Sequence, residues 1–122
     1  MNANHSCDAI VEIGGADFER EVLQSKLPVL VVFLAPWSRP CQVLSEKLAE
    51  VAAACVGMAR LVKVNADDYP DLSLWYDIQS IPTLLFFVRG NLAAKVIGTA
   101  SKEAILTKLH GVLAGSPGNP KS

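Results

Sequence analysis

The chain is poor in sulfur and histidine and has almost no net charge. Its 122 residues include three cysteines: Cys7, Cys41 and Cys55. A set so sparse, and odd in number, excludes the disulfide framework of a small secreted domain. The two histidines, His5 and His110, stand far apart, and no Cys/His spacing suits a metal ion. No metal and no other cofactor is expected. Eleven Lys and Arg against 12 Asp and Glu leave a formal charge of −1. That balance supplies no basic surface for nucleic acid or an anionic membrane. The longest apolar run, "LPVLVVFLAP", has ten residues, about half of a membrane span. The pair Gly14-Gly15 opens no phosphate-binding fingerprint. In "MNANHSCDAIVEIGG" no basic segment precedes an apolar run, and Cys7 lacks the apolar stretch that a lipoprotein cysteine follows. A cytoplasmic location is expected.

Apolar residues make up 51% of the sequence, enough for one domain with a filled core. The expected organisation is a tail over 1–7, a domain over 8–114 and a disordered tail over 115–122. "AIVEI" (9–13) reads as a strand, and Gly14-Gly15 breaks it. Asp17 precedes a helix over "FEREVLQSK", with Phe18, Val22 and Leu23 at helical spacing. "PVLVVFLA" (28–35) is apolar without alternation, the pattern of a strand buried on both faces. Ser38 can N-cap the next helix, which carries Pro40 in its first turn. That helix is expected to run to Gly57 or just beyond, with Val43, Leu44, Leu48, Val51 and Ala52 on its inner face.

Further on, "RLVKVNAD" (60–67) reads as a strand and "YPDLSLWYDI" (69–78) as a short helix. "PTLLFFVRG" and "LAAKVIG" form a hairpin turning at Gly90-Asn91. Ser101 caps the last helix. The order β-α-β-α-β-α-β-β-α predicts an α/β fold in which the strands linked through helices are parallel neighbours and the closing hairpin is antiparallel. The result is a mixed five-stranded sheet with four helices on its two faces.

Three features of this frame coincide. "APWSRPC" sits at a strand-to-helix turn, "SIPTLLFF" follows about forty residues later, and Gly98 ends the last strand. Together with the element order they resemble the thioredoxin family, over roughly residues 8–114. The resemblance implies protein thiol–disulfide exchange in cell redox homeostasis. It also implies a cis bond before Pro82, although a trans proline opening an edge strand is the plainer alternative. By the same resemblance Trp37, Arg39, Pro40, Ile81, Pro82 and Thr83 form a groove for an extended polypeptide, which adds as a strand. The implied partners are protein or peptide clients and a reductase, met by a monomer.

The family's attacking cysteine is missing. Where the resemblance puts it, this chain has Ser38, so the motif reads Ser-Arg-Pro-Cys instead of Cys-x-x-Cys. A serine hydroxyl does not exchange with disulfides, and with no nearby base it is a poor acyl nucleophile. The family also buries an acid beneath the second cysteine, and at that position the chain has Val32. Lys63 matches the lysine that neighbours the acid; alternatively it is a strand-end lysine snorkelling to solvent. Loss of both nucleophile and acid favours a natural Ser38 over an engineered one. Cys41 is the remaining sulfur of the motif. It is either a one-sulfur nucleophile or, preferably on its burial in the family, a small core hydrophobe. Cys55 lies about 21 Å along the same helix and cannot pair with it. Cys55 reads as core, and Cys7 as exposed near the first strand.

Three functions follow. One is a thioredoxin-like redox protein with dithiol reductase activity absent or strongly reduced. The second is a non-catalytic module holding extended clients near Trp37 and Pro82. The third is an ordinary disulfide reductase whose first active-site cysteine was engineered to Ser38.

Overall fold

The computed structural model describes residues 10–13, 15–55 and 57–115. Cys7 and both expected tails, apart from Gly115, lie outside them. The strands are β1 (Ile10–Glu12), β2 (Val29–Leu34), β3 (Arg60–Asn65), β4 (Thr83–Val88) and β5 (Asn91–Ile97). The helices are α1 (Gly15–Phe18, continuing as a π-helical turn over Glu19–Leu23), α2 (Arg39–Ala54), α3 (Pro70–Trp75) and α4 (Lys102–Gly115).

The five strands form one sheet in the order β1-β3-β2-β4-β5. β3 lies parallel to both β1 and β2, while β4 is antiparallel to β2 and to β5. The expectation that successive helix-linked strands are neighbours fails for β1 and β2, because β3 lies between them. β2 carries the uninterrupted apolar run, so it gains most at the centre with neighbours on both sides. Three-residue β1 suits an edge, where a short strand leaves few backbone groups unpaired.

Two cores result, one on each face, because successive residues of a strand point to opposite sides. Leu30 and Val32 join Leu44, Leu48, Val51 and Ala52 of α2 and Ile105 and Leu109 of α4. Val29, Val31 and Phe33 join Phe18 and Val22 of the first helix and Leu72 of α3. Burial of Cys55 in the first core pushes its thiol pKa up, as expected for a structural cysteine.

Several element limits differ from the sequence reading. The first helix begins at Gly15, and its second half is π-helical, with Gln24 N donating to Glu19 O at 2.9 Å. α2 stops at Ala54, short of the expected end, with Cys55 as C-cap and Gly57 at φ +84° beyond it. Val43 belongs to the exposed side of α2, not its inner face. The hairpin turns one residue earlier than expected, at Arg89-Gly90, with both at positive φ and Val88 facing Asn91. That is the two-residue geometry whose twist matches the strands.

Candidate functional site

The site grows from the end of β2. The chain leaves the sheet at Ala35 and folds back at once, with Ser38 N donating to Ala35 O at 3.1 Å. Ser38 is extended (φ −88°, ψ 122°) and serves as N-cap of α2, accepting from Cys41 N at 3.4 Å. Pro40 lies in the first turn, where its missing N–H costs nothing. The Gln42 side-chain amide donates to Pro36 O at 2.9 Å, and Ala35 N donates to Cys41 Sγ at 3.4 Å. These bonds fix the Pro-Trp turn, the cap and the sulfur relative to one another.

Ser38 is 6% exposed and Cys41 2%. Trp37 is 70% exposed, yet its indole Nε1 donates to Asp67 Oδ2 at 2.6 Å. Asp67 is held in turn by Asn65, whose Oδ1 accepts from Asp67 N at 2.9 Å, an Asx-turn after β3. Arg39 and Pro40 point outward, both exposed.

The loop before β4 reaches the same end of the sheet. The antiparallel register pairs Phe33 with Thr83, so the start of β4 lies at the same sheet end as the Ala35–Ser38 turn. The Ile81–Pro82 bond is cis. Pro82 O accepts from Gly98 N at 2.8 Å, and Thr83 Oγ1, buried, donates to Ser80 O. Lys95 on β5 donates to Asp77 O at 2.9 Å and Tyr76 O at 3.3 Å. That ammonium caps the end of α3, a favourable place for a cation, and ties down the chain leading to Ile81.

Trp37, Ser38, Arg39, Pro40 and Cys41 thus share one turn, and Ile81, Pro82 and Thr83 lie across from it. Sequence reasoning missed Asp67, Gln42 and the Ala35 N–H that touches the sulfur. Asn65 had a signal, an Asn two residues before an Asp at a strand end. Asp67's role depends on a pairing across 30 residues that no local pattern reveals.

A thioredoxin family model matches residues 9–111. The chain is 37% identical to the thioredoxin of Pyropia yezoensis over 84% of its length and 95% of that protein. It is 38% identical to thioredoxin 1 of Nostoc sp. over the same shares. To the chloroplastic M-type thioredoxin of Spinacia oleracea it is 30% identical, over 92% of this chain and 62% of that one. With this fold and these matches, the chain belongs to the thioredoxin family.

Proposed function

We propose that this chain is a thioredoxin-family redox protein that has lost dithiol turnover and retains the client groove. One observation carries the reading. The position of the family's attacking thiolate holds a buried serine oxygen that caps α2, and Cys41 lies behind it. A hydroxyl does not open a disulfide, and a sulfur 2% exposed is hard for a protein disulfide to reach. Any remaining exchange is one-sulfur chemistry at Cys41. Among the described residues no helix is long and apolar enough to cross a membrane. A cytoplasmic monomer acting on protein clients is part of this reading. The test is insulin reduction with dithiothreitol. The rate should equal that of dithiothreitol alone, and turnover near that of a dithiol relative would refute the reading.

A second reading, a binding module without chemistry, is favoured by Trp37. An indole so exposed yet hydrogen-bonded to Asp67 is a pre-oriented contact for an extended chain. Cys41→Ser separates the two. It should leave peptide affinity intact if binding is the whole function, and should abolish trapping of mixed disulfides if one-sulfur chemistry operates.

A further inference from the structure

Helix α3 buries Leu72 and turns Pro70, Asp71, Leu74 and Trp75 to solvent. Leu74 is 82% exposed and Trp75 78%, the two highest values among the large apolar side chains described. Residues three and four apart share a helix face, so Asp71 stands beside both. The indole of Trp75 is anchored. It stacks on the Tyr76 ring with centroids 6.4 Å apart and planes 16° from parallel. Tyr76 in turn packs on Phe18 and edge-on against Phe87 of the core. Stacking occupies one face of the indole at most, and the other is open to solvent.

The charge around this face has one sign. Asp67, Asp68, Asp71 and Asp77 are exposed, and no Lys or Arg occurs between Lys63 and Arg89. Asp67 accepts from the Trp37 indole and Asp77 from the Gln79 amide, neutral donors that leave the charges in place. Lys95, bound to the Tyr76 and Asp77 carbonyls, offsets part of the charge at the end of α3. The first helix packs on the same side of the sheet, and its Arg20 is paired with Asp17 and Glu21, as Arg60 of β3 is with Glu21. Among the described residues no cation pairs with Asp68 or Asp71.

An open indole face, an exposed leucine and uncompensated carboxylates together define a complementary ligand. Arginine stacks its planar guanidinium on an indole and offers its N–H fork to carboxylates. An acidic or neutral segment does neither. We propose that the outer face of α3 docks a segment of a partner protein that carries arginine beside an apolar side chain. The guanidinium lies on Trp75 and pairs with Asp71, and the apolar neighbour covers Leu74. The inference depends on neither Ser38 nor Cys41, and it engages Trp75 rather than the Trp37 of the client groove.

The chain has two tryptophans, so its indole N–H correlation spectrum reports each surface by one signal, assigned with Trp75→Phe. The probe is a short peptide of alternating leucine and arginine, titrated into the reduced full chain. Control peptides carry lysine, citrulline or glutamate in place of arginine. The arginine peptide should move the Trp75 signal saturably and leave the Trp37 signal in place. The lysine peptide should bind about threefold more weakly, and the citrulline and glutamate peptides at least about tenfold. By fluorescence anisotropy of the labelled arginine peptide, Trp75→Ala should weaken binding about fivefold and Asp71→Asn about threefold. Glu46→Gln removes a carboxylate from an exposed position on α2 and should change nothing. No binding, equal binding by Trp75→Ala, or equal binding of the citrulline peptide overturns the proposal. So does a peptide that moves only the Trp37 signal, which belongs to the groove. A Trp75 signal that shifts with protein concentration alone gives the face to a second copy of this chain and also overturns it. A groove without client affinity would alter none of these results.

Discussion

Replacing Ser38 with alanine tests whether the serine now serves the helix. The change removes the one side-chain oxygen that caps α2. Cap removals of this kind cost about 0.5–2 kcal/mol. Two features of the structure place Ser38 within that range. The Cys41 N to Ser38 Oγ distance of 3.4 Å is long, beyond the usual range of roughly 2.7–3.2 Å, which argues for the lower end. Burial argues the other way, since Ser38 is 6% exposed and a donor left without a partner there cannot easily turn to water. The expected loss is about 1 kcal/mol, lowering the melting temperature by about 3–5 °C for a domain of this size. With a urea slope of about 1.5–2 kcal/mol/M, the midpoint falls by about 0.5–0.7 M. Far-ultraviolet circular dichroism is the right probe, because Trp37 and Trp75 are both largely exposed in the folded state and their emission changes little on unfolding. All cysteines must stay reduced. Ser38→Asp should fall between the parent and Ser38→Ala. Its carboxylate caps and meets the helix dipole favourably, but loses hydration at a buried position. An unchanged midpoint for Ser38→Ala, with weakened peptide binding, would show that Ser38 recognises clients and that the capping account is wrong.

Ser38→Cys should form a disulfide with Cys41 on mild oxidation but reduce insulin slowly, since Val32 offers no proton acceptor. Adding Val32→Asp, opposite Lys63 in the β2–β3 register, should raise the rate near neutral pH, and equal rates in the two variants would remove Val32 from the explanation. Gly90→Ala should destabilise by about 2–4 kcal/mol, because it adds positive-φ strain to a Cβ only 2.7 Å from Leu23 O. Gly57→Ala has similar φ and open space, so thermal melts should show a loss of about 1 kcal/mol. Arg60 pairs with Glu21 and holds its carboxyl below the usual value of 4.5. A lowered folded pKa means stability that is present above the unfolded pKa and lost as pH falls through the folded one. Glu21→Gln should therefore flatten the acid side of the stability–pH profile below about pH 5, and an unchanged slope would discount the pair.

The parts of this protein that local rules govern were legible in the sequence. The doubly apolar run of β2, the Ser-x-Pro start of α2 and the hairpin each follow from a few neighbouring residues. Each local choice there agrees with the global fold. The same locality makes the replacement of a nucleophile by Ser38 readable from the sequence alone, because the motif around it is intact. What the sequence left open depends on pairing across the sheet. β3 between β1 and β2 is decided by which strand gains most from burial on both faces, a comparison among elements and not a property of any one. The π-turn after Phe18 and the stop of α2 at Ala54 escape a periodicity reading, which marks an element's existence better than its ends. Asp67 under the Trp37 indole joins segments 30 residues apart. A cavity that gathers Cys41, Gln42 and Ser45 from α2 with Lys63 and Asn65 from β3 exists only once β3 is in register with β2. A parallel register is fixed by the crossover and the facing cores, not by the residues that happen to line the gap.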